Sequence, residues 1–115
     1  MPKLKLKVQV VFYQDADGDW IAHCLEMDLC GHGESRRDAI EMLNEALAMQ
    51  IASSIEDDNP ENLFSPADAK FFHMFARGKD IAVGNLEVSV KEEYESLEFL
   101  GSEAREYSGG DLALA

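Results

Sequence analysis

Four side chains that can bind a metal or act in catalysis lie within ten residues: His23, Cys24, Cys30 and His32. Zinc accepts such a mixture of thiolates and imidazoles. Successive residues of a strand point to opposite faces, so His23 and Cys24 cannot easily bind one ion. Cys30 and His32 do share a face and are the remaining metal candidates, although their spacing matches no metal-binding motif. We expect no resident metal and two reduced thiols.

A catalytic Cys–His pair would use Cys24 or Cys30 as its nucleophile. Such a pair also needs a residue that orients the imidazole and donors that stabilise an oxyanion, and the sequence identifies neither. Gly31 and Gly33 precede a helix start, but the lysine of a nucleotide-binding loop is missing and Glu34 would repel phosphate. The sequence therefore predicts no enzyme activity and no cofactor.

Three aspartates alternate with other residues around Gly18, as ligands do in a calcium-binding loop: Asp15, Asp17 and Asp19. A calcium loop of that type also has a helix before it and a bidentate glutamate at a fixed distance after it, and this stretch lacks both. Asp-Gly is instead typical of a tight turn, because glycine readily adopts a positive φ. The stretch is interpreted as the turn of a β-hairpin.

The strand that enters this turn shows strict alternation. One face carries the apolar residues Leu4, Leu6, Val8, Val10 and Phe12, and the other carries Lys5, Lys7, Gln9, Val11 and Tyr13. The first face is expected in the core, and the second is solvated at its lysines and more apolar near the turn. A second strand from Trp20 to about Leu25 is predicted to pair antiparallel with the first. A shorter third strand over residues 27–33 follows, and its glycines suggest a bulge or a close backbone approach.

Ser35 is placed to cap a long amphipathic helix of about 20 residues. Apolar residues recur behind it at helical spacing: Ile40, Leu43, Leu47, Ile51 and Ile55. This stripe is expected to pack on one face of the sheet. The acidic residues 56–58 and Pro60 end the helix.

A short second helix is predicted with Ser65 as its N-cap and Pro66 at its first position. Residues 81–90 alternate again and predict one or two short strands, and residues 91–100 are either helical or irregular. The result is an α+β fold, β-β-β-α-β with a short second helix, in which one long helix packs on a mostly antiparallel sheet. We expect one domain over residues 1–100 and a loosely ordered tail over residues 101–115.

The chain has 115 residues, with 10 Lys and Arg against 23 Asp and Glu, and a net charge of -13. This charge repels phosphate backbones, and it favours either solubility alone or a basic protein partner. No apolar run approaches the roughly 20 residues that span a bilayer. The N-terminal segment has no continuous apolar stretch of the secretory kind, so a cytoplasmic location without membrane contact is expected.

Several short motifs follow one another in a fixed order. They are Asp17-Gly18, the segment Trp20–Leu29 with its Leu25-Glu26 pair, His32-Gly33-Glu34-Ser35, Asp38-Ala39-Ile40 and Leu43-Asn44-Glu45-Ala46-Leu47. In order and spacing they resemble the HicB-like antitoxin family, over residues 4–51. The resemblance implies a partial RNase H-like fold without nuclease activity. It also implies that the chain sequesters a small basic HicA-type toxin that cleaves mRNA.

Many members of that family carry a C-terminal ribbon-helix-helix or helix-turn-helix that represses their own operon. No basic helix pair of this kind follows Leu47, so DNA binding by this chain is not expected. The alternative is an orphan member without a toxin, which acts as a structural or ligand-binding homo-oligomer.

The second helix carries more aromatic surface than one buried stripe requires. Its apolar residues either plug one end of the core or form an exposed patch that another subunit completes. With the apolar sheet residues they make up the predicted oligomer or partner surface: Phe71, Phe72, Met74, Phe75, Val11, Tyr13 and Trp20. A two-fold dimer is the simplest assembly expected.

Overall fold

The computed structural model of the protein describes residues 4–59, 63–81, 88 and 97–108. Its elements are β1 (Leu4–Gln14), β2 (Trp20–Cys24), β3 (Leu29–Gly33), α1 (Arg36–Glu56), α2 (Ala69–Arg77), β4 (Lys79–Asp80) and β5 (Leu97–Glu106). The strands form one sheet in the order β3-β2-β1-β5-β4. In this sheet β5 runs parallel to β1, and the other three pairs are antiparallel. The predicted α+β class, with one long and one short helix, is confirmed.

The hairpin of β1 and β2 forms where the Asp-Gly turn predicts it, with Gln14 opposite Trp20. Gly18 adopts a φ of 86°, in the region that favours glycine. The Asp15 carboxylate accepts hydrogen bonds from the backbone N–H groups of Asp17 and Asp19, at 2.9 and 3.1 Å. The Gln14 side-chain amide also donates to the Gly18 carbonyl at 3.0 Å, so the turn is held by backbone geometry and by two side chains together.

Helix α1 begins as predicted, because the Ser35 hydroxyl accepts a hydrogen bond from the Asp38 backbone N–H. Its buried stripe packs on the sheet face of Phe12 and forms the first core, whose largest fully buried members include Leu6, Val8, Val10, Ile40, Leu43, Leu47 and Ile51. Gly31 of β3 lies directly beneath this helix. A Cβ atom at Gly31 would meet the Ala39 carbonyl oxygen and the Leu43 backbone nitrogen. The close backbone approach suggested by the glycines is present.

The second face of the sheet carries a smaller core under α2. This second core consists of Val11, Leu25, Ala67, Met74, Phe75 and Tyr107, with Tyr13, Phe71 and Phe72 packed at its border. Only the apolar end of the face is covered, and Lys5 and Lys7 at its other end are exposed. The change in character along β1 agrees with the sequence interpretation.

Helix α2 begins at Ala69 with Asp68 at its N-cap, so the predicted cap at Ser65 is wrong. The physical reason is a competing set of backbone hydrogen bonds. The N–H of Ser65 donates to the Glu26 carbonyl, and the N–H of Ala67 donates to the Leu25 carbonyl. These bonds hold the segment against the end of β2, so the helix begins at Ala69 and not at Pro66.

The largest correction concerns the C-terminal segment. Residues 97–106 form the long strand β5 beside β1, where we predicted an irregular or helical segment and then a loose tail. Leu97 and Phe99 join the first core, and Tyr107 joins the second. The domain therefore extends past residue 100, and the predicted boundary there is wrong.

The strands predicted over residues 81–90 fall almost entirely outside the described residues, although Val88 is buried in the first core. Residues 109–115 of the predicted tail also lie outside them. In the part of the chain that the structure describes, no helix combines the length and apolar character needed to cross a membrane.

Candidate functional site

Two of the predicted site residues, His23 of β2 and Cys30 of β3, lie opposite each other on the face that α2 covers. The His23 side chain is almost fully enclosed, and the residue is 2% exposed. Its Nδ1 lies 3.2 Å from the Tyr13 hydroxyl, and its Nε2 lies 2.7 Å from an Asp28 carboxylate oxygen. The Phe71 ring packs against the imidazole edge to face, with 4.3 Å between the two ring centroids. Both ring nitrogens of His23 are therefore occupied.

Burial raises the pKa of the Tyr13 hydroxyl, with smaller contributions from Cys30 and Asp28. The Asp28 carboxylate accepts a hydrogen bond from Nε2–H of His23, and the Tyr13 hydroxyl shares a hydrogen bond with Nδ1 of the same ring. The chain Tyr13–His23–Asp28 joins β1 to the β2–β3 turn under the edge of α2.

The two thiols are poorly suited to nucleophilic chemistry. Burial raises the pKa of Cys24 to about 12. Partial desolvation, together with the charge of Asp28, raises the pKa of the Cys30 thiol. A thiol must ionise before it attacks a substrate or binds a metal. Cys24 is buried in the first core and Cys30 is exposed on the other sheet face, so the two also lie apart. This geometry does not support a thiol-dependent reaction.

His32 does not combine with Cys30, its predicted companion as a metal ligand. Its Nε2 lies 3.1 Å from Asp15 Oδ2 and 3.6 Å from Asp19 Oδ2. Among the described residues these three form the one group whose donor atoms are close enough to hold a metal ion. The hydrogen bond from His32 also holds the pKa of the Asp15 carboxyl below its usual value.

Hydrogen bonds already account for the position of this group. One Asp15 oxygen accepts the two N–H groups of the turn, and the other contacts His32, so Asp15 ties the β1–β2 turn to β3. Asp15 and Asp19 lie in the turn and His32 lies in β3. They become neighbours because the register of the strands places His32 opposite Ile21. No signal in the order of residues shows that proximity.

The Leu25-Glu26 pair extends the contact between β1 and the segment that leaves β2. The Leu25 N–H donates to the Gln9 carbonyl, and the Gln9 N–H donates to Glu26 Oε1 at 2.7 Å. Leu25 enters the second core at the same point. Burial raises the pKa of the Glu26 carboxyl, because partial desolvation disfavours its charge more than the hydrogen bond favours it.

The raised pKa predicts how the contribution of Glu26 to the free energy of unfolding changes with pH. The folded protein holds the Glu26 proton more tightly than the unfolded chain, so this contribution is complete below the unfolded pKa of about 4.3 and is lost as pH rises through the folded pKa. Glu26→Gln keeps the acceptor for Gln9 and removes the charge. We expect the stability of the variant relative to wild type to increase with pH across this window. Urea unfolding at several pH values measures the difference, and a constant difference would contradict the expectation.

The predicted oligomer or partner surface does not form a single patch. Val11, Met74 and Phe75 are buried within the chain, and this corrects their assignment to an exposed surface. Trp20 lies on the opposite face, where it packs against the first core with the Arg36 guanidinium 5.4 Å from its ring centroid. The aromatic residues of α2 mainly serve the second core, which is the first of the two interpretations that the sequence left open.

A different surface lies exposed along the whole of α1, on the side away from the sheet. This outer surface of α1 is defined by Asp38, Glu41, Met42, Glu45, Met49 and Glu56, all of which are exposed. Between residues 38 and 58 the sequence contains six Asp or Glu and no Lys or Arg. Met42 and Met49 are 50% and 74% exposed within this acidic surface. The helical spacing of the apolar residues predicts the stripe of α1 that faces the core, but it predicts no role for the opposite side.

Comparison of the chain with protein-family models, with curated proteins and with solved structures finds no match. Function is therefore inferred from the fold, the motifs and the surface chemistry of this chain. Of the arrangements described above, the outer surface of α1 is suited to binding another macromolecule. The His23 and Asp15 clusters are suited to holding the sheet and its turns together.

Proposed function

We propose that this chain is an antitoxin-type protein-binding module of the HicB-like kind, which sequesters a small basic HicA-type ribonuclease. The topology carries the proposal. An antiparallel β1-β2-β3 meander is followed by α1 across one face and by a strand parallel to β1 on its other side. The motifs imply a partial RNase H-like fold, for which a β-β-β-α-β order of elements is expected, and this order supports the proposal.

The positions of the motifs support the same proposal. Asp17-Gly18 forms the hairpin turn, Leu25-Glu26 extends the β1 ladder, and Ser35 caps the helix that carries the Leu43–Leu47 motif. Each motif thus has a structural task that depends on its place in the order. A chance similarity of composition would not require the motifs to cooperate in one sheet–helix unit.

Charge supplies the mechanism of sequestration. A ribonuclease must present basic side chains to its substrate, because phosphate contacts dominate nucleic-acid affinity. A chain with a net charge of -13 attracts the same basic surface and competes with the RNA for it. The antitoxin then acts by occupying the surface of the toxin that binds RNA, and it needs no chemistry of its own.

Co-expression tests the proposal. The proposal expects a small basic ribonuclease to be encoded beside this chain in its source genome. Expression of that ribonuclease should arrest growth, and the chain should restore growth when both are expressed. In vitro, the purified chain should protect mRNA from the toxin. Protection should weaken with salt, because the screening length falls from about 10 Å at 0.1 M to about 3 Å at 1 M.

Two outcomes would overturn the proposal. Growth arrest that persists despite soluble expression of the chain would show that it does not neutralise the toxin. Protection that is unchanged at molar salt would remove the electrostatic mechanism. The orphan alternative predicts no neutralisation and, in light scattering, a particle heavier than the 12.8 kDa monomer.

A further inference from the structure

We infer that the outer surface of α1 is the docking surface of this protein, and that its occupant is a basic protein surface with an apolar centre. The identity of that occupant as the toxin rests on the proposed function. The location of the surface and the chemistry of its occupant follow from the side chains and the charge of the helix.

The position of the helix makes the surface available over its full length. The 21 residues of α1 extend about 30 Å at 1.5 Å per residue. Ile40, Leu43, Leu47 and Ile51 face the sheet, so the opposite side points away from the domain. Among the described residues, Glu41 has the one ion pair on this surface, with Arg37 at 3.5 Å and both side chains largely exposed. Such exposed pairs contribute little and are easily exchanged.

The acidic residues at the end of α1 do not stabilise the helix itself. Glu56, Asp57 and Asp58 lie at the C-terminal end of α1, and its last turn contains no basic residue. Negative charge at this end is unfavourable, because the C-terminal end of the helix dipole is itself negative. A cationic partner would be attracted by the three side chains and by the helix end together.

The two methionines supply the apolar part of the surface. Met42 and Met49 are seven residues apart, which places them on the same side of the helix about 10 Å from each other. Glu45 lies between them in sequence and shares their exposed side. Methionine is flexible and polarisable, so it adapts to the shape of an incoming apolar group. The surface thus combines an adaptable apolar centre with an acidic surround.

The same charges select among occupants. A second copy of this chain would bring two acidic helices into contact, and nucleic acid would bring phosphates against carboxylates, so both are repelled. A basic protein surface with an apolar group between its Lys or Arg side chains complements both features. A basic protein surface of this kind is therefore the inferred occupant.

The test uses a defined probe, a labelled helical peptide of about 18 residues that carries a narrow stripe of Leu flanked on both sides by Lys on the same face. Its binding to the full chain is measured by fluorescence anisotropy. Glu45→Lys reverses the central charge and should weaken binding about tenfold or more, because like charges then face each other. Met42→Ala with Met49→Ala should weaken binding about threefold to tenfold.

The matched control is Asp17→Lys, which makes the same change in net charge at the exposed hairpin turn, outside the outer surface of α1. Its affinity for the peptide should stay within about twofold of wild type. Equal losses in Asp17→Lys and Glu45→Lys would show diffuse charge attraction and overturn the inference. Wild-type affinity in Glu45→Lys would overturn it as well. Circular dichroism confirms that each variant keeps the helix.

The growth assay separates failure of the surface from failure of the proposed function. If Glu45→Lys neutralises the toxin as well as wild type does, docking at α1 is overturned while the antitoxin role stands. If wild type binds the peptide through Glu45 but never relieves growth arrest, the surface stands and the antitoxin role is overturned. Self-association that is lost in Met49→Ala would make a second copy the occupant and overturn the inference.

Discussion

Gly31→Ala is expected to destabilise the protein by about 3 kcal/mol or more, and Gly31→Val to prevent folding. The added Cβ would lie against the Ala39 carbonyl oxygen and the Leu43 backbone nitrogen, and 2.9 Å from the Leu43 Cα. These are backbone atoms in the first two turns of α1, so no change of rotamer can relieve the overlap. Relief requires the helix to move away from β3, which would open the first core. Urea unfolding followed by circular dichroism measures the loss.

Gly18→Ala is the matched control for this substitution. Gly18 has a φ of 86°, so alanine there is strained, but nothing lies within 4 Å of the added Cβ. We expect a loss of about 1–2 kcal/mol from backbone strain alone. If Gly31→Ala were no more harmful than Gly18→Ala, β3 could not approach the helix as closely as the structure shows.

The comparison of these glycines shows which parts of the fold the sequence could predict. The Gly18 turn, the Ser35 cap and the stripe of α1 depend on residues near one another in the chain, and all three form as predicted. The role of Gly31 was predicted only as one of two possibilities. Its neighbour across the interface is a helix that begins five residues later, and the sequence does not show where that helix crosses.

Strand β5 was not predicted because its partner is distant. Residues 97–106 pair with β1 across more than 90 positions of sequence, and the pair shifts its register between Leu6 and Lys7. Gly101 adopts a φ of 121° on the partner strand at that shift. A glycine and four charged residues interrupt the alternation of the segment, so its local pattern resembles that of a loop. Only the position next to β1 explains why it is extended.

For the same reason, the sequence could not predict the side-chain contacts at the second core. Arg105 of β5 donates from Nε to Asp80, and from Nη1 to the Phe75 carbonyl at 3.1 Å. Its guanidinium also lies 4.6 Å from the centre of the Phe75 ring. These contacts join the end of α2 to β4 and β5. Without knowledge of β5, the aromatic residues of α2 could equally have belonged to an interface between subunits.

Phe75→Ala is therefore expected to destabilise the folded chain by about 3–5 kcal/mol. Phe75 is 4% exposed in the second core, and its removal leaves a cavity between α2 and the sheet. It also removes the ring beneath Arg105. Total stabilities of small domains are about 5–15 kcal/mol, so the loss is a large part of the whole. Thermal and urea unfolding of the purified variant measure it.

Phe64→Ala is the control, because Phe64 is 43% exposed and belongs to neither core. Its substitution should change stability by less than about 1 kcal/mol. Light scattering on Phe75→Ala separates the two roles that the sequence left open for α2. A variant of near wild-type stability that changes only its subunit number would place Phe75 in an interface. A variant that loses several kcal/mol at unchanged subunit number places it in the second core, because a cavity within one chain weakens folding whether or not a partner is present.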